Sequence, residues 1–213
     1  DKRFLPSCTK QLDTLDPNEL EDLVDRAKDW AVMHGMGVRP TKYTTDAIEF
    51  APFALLPSTL PRKEFQNVCD IQRTLNELMH WVAHDYNFLK ETLKETIKVD
   101  EFTGKLFDIY ETVYKEGIVQ KVSLGLMRSD YMLDSACQDR MECLAKPFGC
   151  LKQVEINTIA AGMAWLGPIT AKCHQFILSE LGQTHLIKDL LQNDALEGTC
   201  TGIVQAWRMY NNP

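Results

Sequence analysis

The sequence predicts a mixed α/β (α+β) protein in which a helical layer is followed by strands and packing helices. Apolar residues recur at helical spacing through the first half, and at Val119 their period changes from 3.6 to 2. The 213 residues are 45% hydrophobic and 25% charged, which is ordinary for a soluble domain that buries a core without disulfides or metals. We therefore predict a helical layer at 1–118 and strands with helices at 119–213.

Capping residues and glycines mark the ends of the predicted helices in the first layer. Asp16-Pro17-Asn18-Glu19 forms a capping box with proline at the first helical position, and this helix ends at Gly35. Prolines frame the apolar run 50–56, which we interpret as a connector or a short buried strand. Further helices are predicted at 61–83, around Phe88 and Leu93, and at 100–117.

Two runs of alternating residues predict a pair of strands in the second part. The first covers 119–126 and the second covers 151–159, with a long polar loop between them. A helix is predicted after Gly167 and Pro168, and a last helix at about 195–210.

Charge and hydropathy exclude two classes of partner. A formal net charge of -7 and a pI near 5.3 would repel a phosphate backbone, so we expect no nucleic acid. The longest uncharged run, 156–171, contains glycine and proline and is too short to span a membrane. We therefore expect no membrane partner.

The seven cysteines, an odd number, show no zinc or redox spacing. Three occupy helical apolar positions and are predicted to be small buried hydrophobes: Cys69, Cys173 and Cys200. Three more lie in the polar loop, where an oxidising compartment would bridge two of them: Cys137, Cys143 and Cys150. The chain opens at Asp1 rather than Met, so we expect that an upstream segment is missing and leave secretion open.

Polar residues on the second strand point to a metal site. Period 2 places Gln153, Glu155 and Asn157 on one face. Such oxygens suit nucleotide-bound Mg²⁺, which needs only one or two protein ligands. The alternative is the ordinary polar face of a half-exposed strand.

Two further sets of residues could carry chemistry. Arg128 follows the first strand, and if the strands pair it could hold a substrate carboxylate in a bidentate fork. The alternative is a structural ion pair with Asp130 or Glu155. His80 and His84 lie one helical turn apart and could ligate a metal, with a solvated helix face as the alternative.

Ordered blocks of sequence run through nearly the whole chain, at 51–57, 96–103, 106–109, 124–132, 153–159 and 206–210. In this order and spacing they resemble the N-terminal half of the eukaryotic glutathione synthetase family. The resemblance implies the N-terminal portion of an ATP-grasp ligase that joins γ-glutamylcysteine to glycine through an acyl phosphate. It also implies ATP as co-substrate, Mg²⁺ as cofactor, a cytoplasmic location, and a C-terminal ATP-grasp portion that this chain lacks. The family is usually homodimeric, with a contact matching Ala47, Ile48 and Phe50.

The resemblance also assigns roles to single residues. It implies that Arg128 binds the dipeptide and takes part in catalysis, that Glu155 contacts ATP and Mg²⁺, and that Asn157 is an Mg²⁺ ligand. The loop that follows would hold the dipeptide through Ile159, Ala160, Ala161 and Gly162.

This loop departs from the family pattern. The family has hydroxyl side chains where Ala160 and Gly162 stand, and Trp165 replaces a glycine. Loss of two uncharged hydrogen bonds would weaken dipeptide binding by about 1–3 kcal/mol. We therefore keep two alternatives, a ligase of the same fold with a different donor or acceptor, and a non-catalytic ligand-binding paralogue.

Overall fold

The computed structural model describes residues 12–42, 44–134, 150–158 and 162–211. Its helices are α1 (Pro17–Met33), α2 (Arg62–His84), α3 (Tyr86–Leu93), α4 (Thr96–Val99), α5 (Glu101–Glu116), α6 (Met163–Glu180) and α7 (Ala195–Tyr210), with a 3-10 helix at Thr184–Asp189. Its strands are β1 (Gly37–Val38), β2 (Glu49–Phe50), β3 (Arg128–Leu133) and β4 (Leu151–Asn157). β1 pairs with β2 and β3 with β4, each in an antiparallel two-stranded sheet.

The predicted ends of the first helix are confirmed. The Asp16 carboxylate accepts a hydrogen bond from the Asn18 amide at 2.8 Å, and Glu19 accepts one from the Asp16 amide at 3.3 Å. This capping box satisfies amides that the first turn leaves unpaired. After α1 the chain turns at Gly35, whose φ of +75° is strained for any other residue.

The apolar core lies between α1 and α6. Leu23, Ala27 and Ala31 form one stripe at four-residue spacing on α1. The facing stripe on α6 has the same spacing: Ile169, Cys173 and Ile177. Because two α1 positions are alanine, the helices approach closely, and each buried leucine or isoleucine contributes about 1.5–3 kcal/mol. An ion pair between Arg26 and Glu180 joins the two helices at the rim of this core.

A second contact fastens α3 to α5. Tyr86 stacks on Tyr114 with ring centroids 4.4 Å apart, and its hydroxyl donates to Glu111 at 2.6 Å. Hydrogen bonds from Lys115 and Tyr86 lower the pKa of Glu111 to about 2. This carboxylate therefore stays charged throughout the neutral range.

One buried carboxylate connects the helices to the second sheet. Glu64 is 2% exposed, and its Oε2 accepts hydrogen bonds from the amides of Cys150 at 2.9 Å and Leu151 at 3.1 Å. It stands in the first turn of α2, where the helix dipole favours a negative charge. These contacts fix where β4 begins.

The prediction of a strand at 119–126 is wrong. These residues have no regular structure, and β3 begins at Arg128. Val119 is 89% and Leu124 is 44% exposed. An alternating pattern records which residues are apolar, but a strand also needs a partner backbone, and β4 pairs with 128–133 instead. The second predicted strand is confirmed over Leu151–Asn157.

The predicted start of the sixth helix is also wrong. α6 begins at Met163 and continues through Pro168. Proline removes the hydrogen bond to the Ala164 carbonyl. In the first turn, the Trp165 indole Nε1 donates to the Gly35 carbonyl at 2.9 Å and ties the start of the helix to the turn after α1.

Cysteine burial differs from the prediction in three places. Cys173 is buried as predicted, and burial raises its pKa to about 11. Cys69 and Cys200 are exposed, because helical spacing does not say which face meets the solvent. Cys150 is buried and its thiol is free in this structure. The disulfide expected for an oxidising compartment stays a prediction. Cys137 and Cys143 lie outside the described residues.

No described helix has both the length and the apolar character needed to traverse a bilayer.

We expect Glu64→Ala to lower the free energy of unfolding by roughly 2–4 kcal/mol, because two buried amides lose a charged acceptor. Urea titration measures the change, and hydrogen exchange at Cys150 and Leu151 should quicken. The matched control is Glu77→Ala on the same helix. The Glu77 carboxylate pairs with Arg73 at the surface, so this substitution should lower the free energy of unfolding by less than about 0.5 kcal/mol. Equal effects of the two substitutions would show that Glu64 does not hold β4.

Candidate functional site

The β3–β4 sheet brings four polar residues onto one face. Arg128 lies opposite Asn157 in the antiparallel register, and Asp130 lies opposite Glu155. Directly opposed residues of an antiparallel pair share a face, with Cβ atoms about 4.5–5.5 Å apart. The four side chains therefore form a square, which we call the strand cluster: Arg128, Asp130, Glu155 and Asn157.

Arg128 is held by a bidentate ion pair. Its Nε and Nη2 donate to the two carboxylate oxygens of Asp130 at 2.8 and 2.9 Å. The side chains remain 38% and 35% exposed. Because guanidinium has five N–H donors, the edge carrying Nη1 can still receive a second carboxylate. The structural ion pair predicted as the alternative for Arg128 thus exists and is compatible with ligand binding.

Asn157 connects the two carboxylates. Its Nδ2 donates to Glu155 Oε1 at 2.9 Å and to Asp130 Oδ2 at 3.2 Å. A carboxamide has two N–H donors and one oxygen, so this arrangement uses both donors and turns the oxygen away from the carboxylates. That oxygen is suited to a hard cation.

The ion pair shifts the pKa of both partners. Hydrogen bonds from Arg128 lower the pKa of Asp130 below its ordinary value, against a smaller opposing effect of desolvation. Hydrogen bonding to Asp130 raises the pKa of Arg128, and the charges of Asp130 and Glu155 act in the same direction. The cluster is therefore charged at neutral pH.

The structure brings together three of the predicted site residues, Arg128, Glu155 and Asn157. The prediction that Gln153 shares their face is wrong. A β-bulge pairs Gln153 with Tyr131 while Glu155 pairs with Asp130, which moves Gln153 to the opposite face. The sequence could not reveal a bulge, because period-2 counting assumes an uninterrupted ladder.

The predicted substrate loop is described only at its end. Ile159, Ala160 and Ala161 lie outside the described residues. Gly162 caps α6 with a φ of -57° and makes no side-chain cap. A Cβ added there would meet nothing within 4 Å, so a side chain fits this position.

Two other predictions concern residues away from the strand cluster. Trp165, expected to alter the loop, packs its indole against the Gly35 turn and is 40% exposed. The rings of His80 and His84 lie tilted at 43° with centroids 4.4 Å apart, and His84 Nδ1 contacts the His80 carbonyl at 2.8 Å. No group of three or more His, Cys, Asp or Glu ligands occurs among the described residues, so this pair lacks a third ligand.

Sequence reasoning gave too little weight to two residues. Asp130 entered only as a possible ion-pair partner, although its position two residues after Arg128 on a strand puts both on one face. Glu64 was missed altogether. The only local signal was an acidic residue in the first turn of a helix whose cap, Pro61, offers no side-chain acceptor.

Comparison with known proteins shows which protein family this chain is similar to. A model of the ATP-binding domain of eukaryotic glutathione synthase matches residues 17–213. Glutathione synthetase of Rattus norvegicus is 39% identical over 199 residues, and that of Homo sapiens is 38% identical over 200. The chloroplastic enzyme of Arabidopsis thaliana is 30% identical over 210 residues. These matches cover 92%, 93% and 95% of this chain but only 40%, 40% and 37% of the relatives.

A solved structure supports the same relationship. The apo form of a glutathione synthetase-like effector from Globodera pallida aligns with a TM-score of 0.71 and 28% identity, covering 93% of this chain and 41% of that one. The chain thus spans about 40% of the length of the relatives that it matches.

We expect Arg128→Met to raise the pKa of Asp130 toward the ordinary value of about 3.9. A lowered folded-state pKa means that this carboxylate stabilises the fold above about pH 4, and that the contribution is lost as pH falls through the folded pKa. Carboxyl ¹³C NMR during an acid titration measures the pKa of Asp130 and the pH range over which its charge is lost. Asp100, whose pKa is lowered by hydrogen bonds from Thr103, is the control and should not move. An unshifted Asp130 in Arg128→Met would contradict the ion pair.

Proposed function

This chain belongs to the eukaryotic glutathione synthase family, and from that premise we propose that it carries part of the active site of an ATP- and Mg²⁺-dependent ligase. The ligase joins a γ-glutamyl dipeptide, with γ-glutamylcysteine as the first candidate, to glycine. One observation carries the proposal: within the family match, a guanidinium, two carboxylates and a carboxamide occupy one face of the β3–β4 sheet.

The donor set of the strand cluster fits Mg²⁺. The Asn157 oxygen is turned away from its hydrogen-bonding partners, and the neighbouring Glu155 carboxylate is exposed. Mg²⁺ commonly shares its coordination with substrate phosphates, so one or two protein oxygens are enough to hold it. Glu155 and Asn157 would hold Mg²⁺, and the metal would neutralise phosphate charge when bound.

Arg128 acts on the peptide donor in this proposal. Asp130 does not use the Nη1 edge of the guanidinium. This edge receives a carboxylate of the peptide donor and fixes the orientation of that carboxylate. The reacting carboxylate attacks the γ-phosphorus of ATP, which gives an acyl phosphate and releases ADP. The amine then attacks the acyl carbon, an amide bond forms, phosphate leaves with the C–O bonding electrons, and the amine proton passes to solvent.

We propose that further protein surface covers parts of this chain that are exposed. On α5, Phe102, Leu106 and Ile109 form an apolar stripe that is 76%, 56% and 62% exposed. The relatives are much longer than this chain. We propose that a C-terminal portion corresponding to theirs packs on these exposed apolar faces and completes the ATP site. A homodimer contact at Ala47, Ile48 and Phe50 also stays a prediction, and the 72% exposure of Ile48 agrees with it. The cytoplasmic location stays a prediction as well.

A second candidate is a ligase of the same fold with a different donor or amine. The altered loop favours it, because Ala160 and Gly162 offer no hydroxyl. The structural relative from Globodera pallida is described as glutathione synthetase-like, which supports testing other substrates. The position of Trp165 against Gly35 weighs against the non-catalytic reading, in which this side chain fills a ligand pocket.

The first test is phosphate release from ATP by the full-length protein with γ-glutamylcysteine and glycine. We expect Glu155→Gln to lower kcat on the order of a hundredfold or more, because a metal-binding charge is lost where phosphate charge develops. Gln153→Ala is the matched control, since Gln153 lies on the same strand but on the other face. Turnover that survives Glu155→Gln, or no turnover with any γ-glutamyl donor and amine, would argue against the ligase.

The second test separates the two candidate substrates. We expect Ala160→Ser with Gly162→Ser to raise kcat/KM for γ-glutamylcysteine about tenfold, by restoring two hydroxyl groups. Gly162→Ser should be tolerated, because the site is open and serine is a favoured helix cap. Mass spectrometry of products from a panel of amines identifies the preferred acceptor. If the double substitution changes no kinetic constant, the loop does not set donor specificity.

A further inference from the structure

We propose that Asp130 is a positioning residue that keeps Arg128 away from Glu155 and turns the oxygen of Asn157 outward. The contacts of Asp130 with Arg128 and Asn157 do not depend on any function, whereas the expected kinetic effect rests on the proposed function. Asp130 does not contact a substrate in this proposal but acts through its two neighbours.

Arg128 has two carboxylates within electrostatic reach. Asp130 accepts both N–H groups of the guanidinium fork, and Glu155 also stabilises the positive charge. If Asp130 lost its charge, the remaining carboxylate of the strand cluster would be Glu155, which lies diagonally across the strand pair from Arg128. An ion pair between Arg128 and Glu155 would neutralise the proposed metal ligand and use the donor-binding fork at the same time.

Asp130 also sets the direction of Asn157. The carboxamide N–H groups are attracted by two carboxylates, one on each strand. With a neutral amide in place of Asp130, only Glu155 would favour that orientation, and the carboxamide could rotate its oxygen inward. The outward oxygen is the one that a hard cation would use.

Charge balance explains why an acid rather than a neutral residue is required at this position. Arg128, Asp130 and Glu155 together carry a net charge of about -1, which attracts a divalent cation while keeping one guanidinium in place. Without Asp130 the local charge is near zero. The cation would then bind less well, and the donor carboxylate would lose its fork where Arg128 pairs with Glu155.

The experiment is Asp130→Asn in the full-length protein, with Asp130→Ser as a second variant and Asp25→Asn as the matched control. Asp25 has the same chemistry in a surface pair with Lys28 on α1. Three quantities are measured: the position of Arg128 in a crystal structure, the Mn²⁺ affinity with a non-hydrolysable ATP analogue by EPR, and KM against kcat for the γ-glutamyl donor. Thermal melting checks that each variant folds.

We expect Arg128 to pair with Glu155 in Asp130→Asn, with Mn²⁺ affinity and donor KM each worsened roughly tenfold and Asp25→Asn unchanged. Arg128 left in its present position, or binding constants within twofold of the unaltered protein, would overturn the inference. If the unaltered protein neither binds nucleotide nor turns over, the proposed function fails, and the crystallographic position of Arg128 alone then decides the role of Asp130.

Discussion

The site depends on one buried carboxylate. Glu64 accepts the first amides of β4, so the strand that carries Glu155 and Asn157 starts at a fixed place relative to α2. Burying a carboxylate is ordinarily costly unless hydrogen bonds or charges compensate it. Here the α2 N-terminus and two backbone N–H groups offset that cost. The strand that pairs with β3, and that carries half of the polar square, therefore begins at this anchor.

The strand cluster places opposite charges close together. The proposed ligase would need a cation for an anionic peptide and carboxylates for a metal, and these groups attract each other when they are close. Asp130 gives the guanidinium its own partner, while Glu155 remains exposed beside Asn157. The two functions can therefore occupy adjacent strands without cancelling.

A hydrogen bond joins the first turn of α6 to the turn that follows α1. The indole of Trp165 bonds to the carbonyl of Gly35, where the chain leaves α1. Glycine tolerates the positive φ of that turn, which would be strained for another residue. Packing between the helices thus fixes one end of the segment at which this sequence departs from its family.

The sequence by itself determined the helices and the kinds of residue at the site. Capping signals at Asp16 and Asp100 are local hydrogen-bonding chemistry, so the ends of α1 and α5 could be predicted without knowledge of the fold. Arg128, Glu155 and Asn157 were accessible through family resemblance and donor chemistry. The position of β3, the bulge that turns Gln153 away and the start of α6 could not be predicted in this way. Each depends on a partner distant in sequence, and only the tertiary structure decides which backbone or side chain that partner is.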